Sequence, residues 1–162
     1  MKIVPLFLLL FVASLSFGQS VAKPDAKLLD AAIEQYLKEM KSKFSIAPSE
    51  FIIETEDKSI FQNVKKKFGN TAIVLKTHKE LEDYSTQKAG KNIGFFTIDV
   101  EKSAKEYIVD IMDDGIKCSM QSGSATFDYD SFGAGRACEL YFSLDMKFKE
   151  IDCLLLPNDP GN

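Results

Sequence analysis

The segment YIVDIMDDGIKCSM, Tyr107 to Met120, decides how the second half of this chain folds. Tyr107, Val109 and Ile111 recur at every second position, so they share one face of a strand. Asp113-Asp114-Gly115 has turn composition, and the reading predicts that the strand ends there. Ile116, Cys118 and Met120 then begin the next strand.

The same alternation continues on both sides. Phe96, Ile98 and Val100 precede it on one strand face, with EKSAK (101–105) as the connecting turn. After it come a QSGS turn (121–124), the set Ala125, Phe127 and Tyr129, and the longer set Cys138, Leu140, Phe142 and Leu144. A bend near Met146-Lys147 leads to Ile151, Cys153 and Leu155. Strands this close, with short polar links, are predicted to be hairpins of an antiparallel meander with one apolar face.

The first half has helical spacing instead. Leu28, Leu29, Ala32, Ile33, Tyr36, Leu37, Met40 and Phe44 form one stripe, with Asp25 as N-cap. FIIET (51–55) and TAIVLKT (71–77) read as strands. A second helix is predicted over 57–68, with Ile60, Phe61, Val64 and Phe68 on one side and Gly69 as its C-cap. A third opens at Thr77-His78-Lys79-Glu80, which has capping-box form, and stops near Gly90.

The expected fold class is therefore α+β, with the N-terminal helices packed on one face of a curved, mainly antiparallel sheet. That element order resembles the cystatin-like and NTF2-like architectures. The resemblance is one of order only, and a fold of this kind hosts enzymes, binding modules and scaffolds alike.

At the N-terminus, Lys2 precedes an uncharged apolar run from Ile3 to Phe17, followed by small residues. This predicts a signal peptide over 1–18 and a single exported domain over 19–162, secreted or periplasmic, with cleavage before Gln19 or before Lys23. The run is short for a membrane span of about 20 residues, and no second such run follows. Integral membrane insertion after cleavage is not expected.

Charge excludes a further class. The formal net charge is −4, and residues 92–162 hold 6 basic against 13 acidic side chains, a balance of −7. An acidic half repels phosphate, so nucleic acid is not an expected partner. Lys65-Lys66-Lys67 is read as a solvated helix face.

Candidate chemistry is sparse. Cys118, Cys138 and Cys153 all fall on apolar strand faces. Three thiols allow at most one internal bridge, and periodicity does not choose the pair. His78, the one histidine, lies at a helix start with no nucleophile tied to it, and a single imidazole argues against a zinc site. Asp110 alternates with Ile108 and Met112 on the less apolar face, where it is placed to reach a pocket. Asp128 and Asp130 share a face, while Asp113, Asp114 and Asp145 sit at turns.

The stretch DYDSFGAGRACE, Asp128 to Glu139, has acidic residues at positions 1, 3 and 12 of a calcium loop and Gly at position 6. Phe132 occupies an oxygen-ligand position, Arg136 brings a cation, and the flanks alternate as strands. The predicted reading is a hairpin loop that binds no metal. FGAGR lacks the following helix of a phosphate loop, so no cofactor is expected.

The favoured functional reading is a small, exported, non-catalytic binding domain for a protein, peptide or small apolar ligand. The alternative is a pocket enzyme using Asp110 with His78 or a tyrosine in acid–base chemistry.

Overall fold

The structure is a computed structural model that describes residues 23–129 and 136–155. Helix α1 (Ala26–Phe44) begins where the Asp25 carboxylate accepts the Lys27 amide, and ends at Ser45 in the left-handed region. It is followed by β1 (Glu50–Glu54), a 3₁₀ turn (Lys58–Phe61), β2 (Lys67–Phe68) and β3 (Thr71–Lys76). Then come α2 (His78–Gln87), β4 (Asn92–Lys102), β5 (Glu106–Gln121), β6 (Ser124–Asp128), β7 (Arg136–Ser143) and β8 (Phe148–Leu155).

Among the described residues eight strands form one mixed sheet in the order β2-β3-β1-β4-β5-β7-β8, with β6 also paired to β5. The α+β class with helices and a mainly antiparallel sheet is as expected. The sheet is not wholly antiparallel, because β1 runs parallel to both β3 and β4. Parallel neighbours need a crossover. Helix α2 is the crossover from β3 to β4, which determines the face on which it lies.

That face is opposite to the one α1 covers. Phe51 and Ile53 of β1 pack with α1, whereas Ile52 between them packs with Leu81 of α2. The expectation that all helices share one face is therefore corrected: each helix covers its own side. The seam between β1 and β4 is a single pairing, Ile53 with Phe96. It is reinforced by the stacked rings of Phe51 and Phe96, 4.0 Å apart, which Tyr36 of α1 meets edge-on.

The two-sided cover corrects the reading of Tyr107–Met120. The segment contains no turn: β5 runs unbroken for 16 residues. Val109 and Ile111 are buried under α1, and Ile116 and Cys118 are buried on the other face with α2. The core changes face along the strand. At the switch Gly115 pairs with Gly94 of β4, so neither strand places a side chain on the α1 face there. Asp114 Oδ1 accepts the Gly115 amide at 2.8 Å, which supplies a local acceptor where a turn was expected.

The helix predicted over 57–68 is likewise corrected to one 3₁₀ turn and a strand. Phe61 and Val64 are buried as the spacing implied. The backbone, however, is used elsewhere. The Lys65 amide donates to Asp30 on α1 at 2.9 Å, and the Lys66 carbonyl accepts the Ile73 amide at 2.9 Å. Those tertiary partners replace an i to i−4 ladder. Gly69, with φ +56°, turns the two-residue link between β2 and β3 instead of capping a helix.

The β4–β5, β5–β6 and β7–β8 hairpins form as read. Ser122 and Gly123 both have positive φ in the link between β5 and β6, the geometry of a tight primed turn. The β7–β8 link bends at Met146, where φ is +61°. On β7, Cys138, Leu140 and Phe142 are buried and Tyr141 lies on the other face, half-buried.

Candidate binding surfaces

Three groups of side chains stand out. The first surrounds His78, which follows the Thr77 N-cap; the Thr77–Glu80 capping box is present in full. His78 Nδ1 lies 2.7 Å from Glu54 Oε1 of β1, and Nε2 lies 3.0 Å from the Tyr129 hydroxyl beyond β6. The His78 and Tyr129 rings stack at 5.2 Å. Tyr129 Oη donates to Glu82 Oε1 at 3.1 Å, and burial followed by that bond raises its phenol to about 12.

These contacts tie His78 to Glu54 and Tyr129, and Tyr129 in turn to Glu82. The set joins β1, α2 and the end of β6. The side chain of His78 is about half exposed, and it lines neither of the two clefts described below. It is built as a clamp.

The second group is on the α2 side of the sheet, beyond the reach of that short helix. Asp99, Asp110, Glu139 and Asp152 stand directly opposite one another across β4, β5, β7 and β8. One row away lie Glu101, Ile108, Tyr141 and Glu150; on the other side lie Thr97, Met112, Ala137 and Leu154. Met112 is 44% exposed and Leu154 62%. Partial burial, then the charges of Glu139, Glu101 and Asp99, hold the Asp110 carboxyl above its usual range. The Tyr141 hydroxyl donates to Glu139, and that bond chiefly raises the phenol to about 12. Lys149, at the bulge in β8, pairs with Glu106 at the margin, Nζ to Oε2 2.7 Å.

Of the partners named in the alternative enzyme reading, His78 or a tyrosine, His78 does not meet Asp110. Asp110 faces Asp99 and Glu139, while His78 faces Glu54 and Tyr129. Asp113 is on the opposite face from Asp110. Burial raises its carboxyl, partly offset by Arg136 directly across the strand pair. Asp145 is a turn residue, with its carboxyl lowered by Lys147 and Ser143. The rows themselves were not anticipated. Their signal was the acidic excess after residue 92, which required the register to become a surface.

The third group is a cleft of about 710 Å³ between α1 and the β2–β3 turn. Lys38, Lys41, Lys65 and Lys67 line it, together with Leu37 and Phe68. A smaller recess of about 260 Å³ lies beside α2 at Tyr84 and Glu80.

Of the cysteines, Cys138 and Cys153 are bonded to each other, directly opposite on β7 and β8, and Cys118 is a buried free thiol. Residues 130–135 of the DYDSFGAGRACE stretch, Asp130 included, lie outside the described residues. Its flanks are informative. β6 and β7 both pair antiparallel to β5, and on the edge opposite β4. They therefore run in one direction. The stretch does not join a hairpin, and that expectation is corrected.

No family model, curated protein or solved structure matches this chain.

Proposed function

We propose that this chain is a small exported binding domain, without catalytic activity of its own, whose open acidic sheet face takes a basic and partly apolar protein segment. The observation that carries this reading is the register of Asp99, Asp110, Glu139 and Asp152. Like charges placed directly opposite on neighbouring strands cost stability. A cationic partner would relieve that cost, and the adjacent Met112–Ala137–Leu154 row offers it apolar contact. Export is supported by the Lys2 and Ile3–Phe17 pattern and by the Cys138–Cys153 bond, which suits an oxidising compartment. Among the described residues no helix is long and apolar enough to cross a membrane.

The acid–base enzyme reading ranks second. It rests on the Glu54–His78–Tyr129 chain, whose histidine lines neither of the two clefts described above.

The test is titration of the purified protein with a labelled peptide of alternating Lys and Leu, and with its Glu and Leu counterpart. Only the Lys peptide should bind. The Asp110→Asn/Glu139→Gln variant should weaken it by about tenfold, with salt dependence to match. Equal binding by the variant would remove the acidic face from the reading. Mass spectrometry of the exported protein should find a start at Gln19 or Lys23, and an intact Met1 there would refute cleavage.

A further inference from the structure

The cleft between α1 and the β2–β3 turn has the opposite character to the acidic face. Glu34, Leu37, Lys38 and Lys41 recur at positions i, i+3, i+4 and i+7 of α1, so they form one stripe along its exposed side. The facing wall comes from Lys65, Lys67 and Phe68, with Gly69 at positive φ turning the chain at its edge. Leu37 and Phe68 are half-buried and make an apolar floor. The four lysines stand above it against one carboxylate, an excess of three positive charges.

Glu34 is already committed. It pairs with Lys38 at 2.9 Å, and its carboxyl is lowered first by that bond and charge, and further by the charge of Lys65. Among the described residues no carboxylate lies within ion-pair distance of Lys41, Lys65 or Lys67. Lys65 instead sits over the Phe68 ring, 5.5 Å from its centre. Converging cations repel one another unless an anion joins them. The volume of about 710 Å³ falls within the range of small-molecule sites.

We infer that this cleft binds an amphiphilic organic anion, with an apolar body on Leu37 and Phe68 and a carboxylate or phosphate head among Lys41, Lys65 and Lys67. The same chemistry occurs in a free molecule and in an anionic lipid headgroup. The inference is independent of the acidic face, which occupies other strands.

The test is calorimetric titration of the purified protein with monomeric decyl phosphate, decyltrimethylammonium, inorganic phosphate, and vesicles of phosphatidylglycerol. Decyl phosphate should bind, and the cationic amphiphile should not. Lys41→Gln/Lys67→Gln should weaken decyl phosphate by about tenfold or more, since charge-assisted contacts are lost. Lys105→Gln, in the exposed β4–β5 turn, should leave binding unchanged, as should Asp110→Asn/Glu139→Gln. Both lysine changes are on exposed side chains, so a thermal melt should confirm intact folding. Binding to decyl phosphate without binding to vesicles identifies a free ligand; lysine-dependent binding to vesicles identifies a headgroup. Equal affinity for the two amphiphiles, or no loss in the double variant, would overturn the inference. So would phosphate binding as tightly as decyl phosphate, since the apolar floor would then contribute nothing.

Discussion

Phe142 and Tyr36 show how differently two buried rings contribute. Phe142 is wholly buried on β7 and meets Phe148 edge-on at 5.6 Å. Its truncation leaves a cavity that the surrounding strands cannot close, so Phe142→Ala should cost about 3–5 kcal/mol in urea unfolding. A loss below about 1 kcal/mol would mean the site collapses or is wet. Tyr36 is also buried, and its ring packs against Phe51 and Phe96. Its hydroxyl has no hydrogen-bond partner among the described residues. Burial chiefly raises that phenol, with the charge of Asp113 adding to the effect. An orphan hydroxyl costs its desolvation, so Tyr36→Phe should leave stability unchanged or raise it by about 1 kcal/mol. Destabilisation by more than about 1 kcal/mol would show that the hydroxyl has a partner.

At the scale of elements, the central strands carry both a liability and a staple. Asp110 has its carboxyl raised in the folded protein, so its charged form is less favourable there than in the unfolded chain. The sign follows. The stability associated with this group is full below the unfolded value of about 3.9 and falls as pH rises through the folded value. Asp110→Asn should therefore stabilise the protein at neutral pH and make little difference at about pH 3. The same gain at both pH values would mean packing, not charge, is responsible. One pair along, the Cys138–Cys153 bond closes a separation of 15 residues, worth about 3 kcal/mol on chain entropy. Unfolding without reductant should expose one thiol per chain, from Cys118, and reduction should raise the count to three. Three thiols before reduction would remove the bridge. Much of this was legible from alternation: α1, the Thr77 capping box, the hairpin turns and the buried face of β7. The long β5 was not, because alternation reports which residues are buried and not which helix buries them. When cover passes from α1 to α2, Ile111 and Ile116 fall on opposite faces of one straight strand, a pattern that imitates a turn. The 57–68 helix misled for a related reason: Phe61 and Val64 are core residues, but Asp30 takes the backbone that a helix would use.

For the whole molecule, the deciding relation is how residues distant along the chain are set by β5. The sequence showed members of the three charged groups, such as Asp110, Lys65-Lys66-Lys67 and His78, but not their grouping; register and the crossover of α2 turned them into an acidic face, a lysine cleft and a clamp. The same register bears on DYDSFGAGRACE. Asp128 is paired with Lys117, and Glu139 with Asp110. Those partners are seven residues apart on one strand, and at ~3.4 Å per residue that is ~24 Å. Positions 1 and 12 of a calcium loop must both reach one ion at about 2.3–2.6 Å. β6 and β7 would have to leave β5 for that to happen, breaking pairings on both. Thermal unfolding provides the check, because any ligand held by the native state adds stability through mass action. At a hundred times its Kd, calcium would add about 2.7 kcal/mol. At roughly 2–4 °C or more per kcal/mol for a domain near this size, the melt would then rise by at least about 5 °C. Calcium should instead give the same small shift as magnesium. A calcium-specific rise that Glu139→Ala abolishes would require β7 to be rebuilt around the ion.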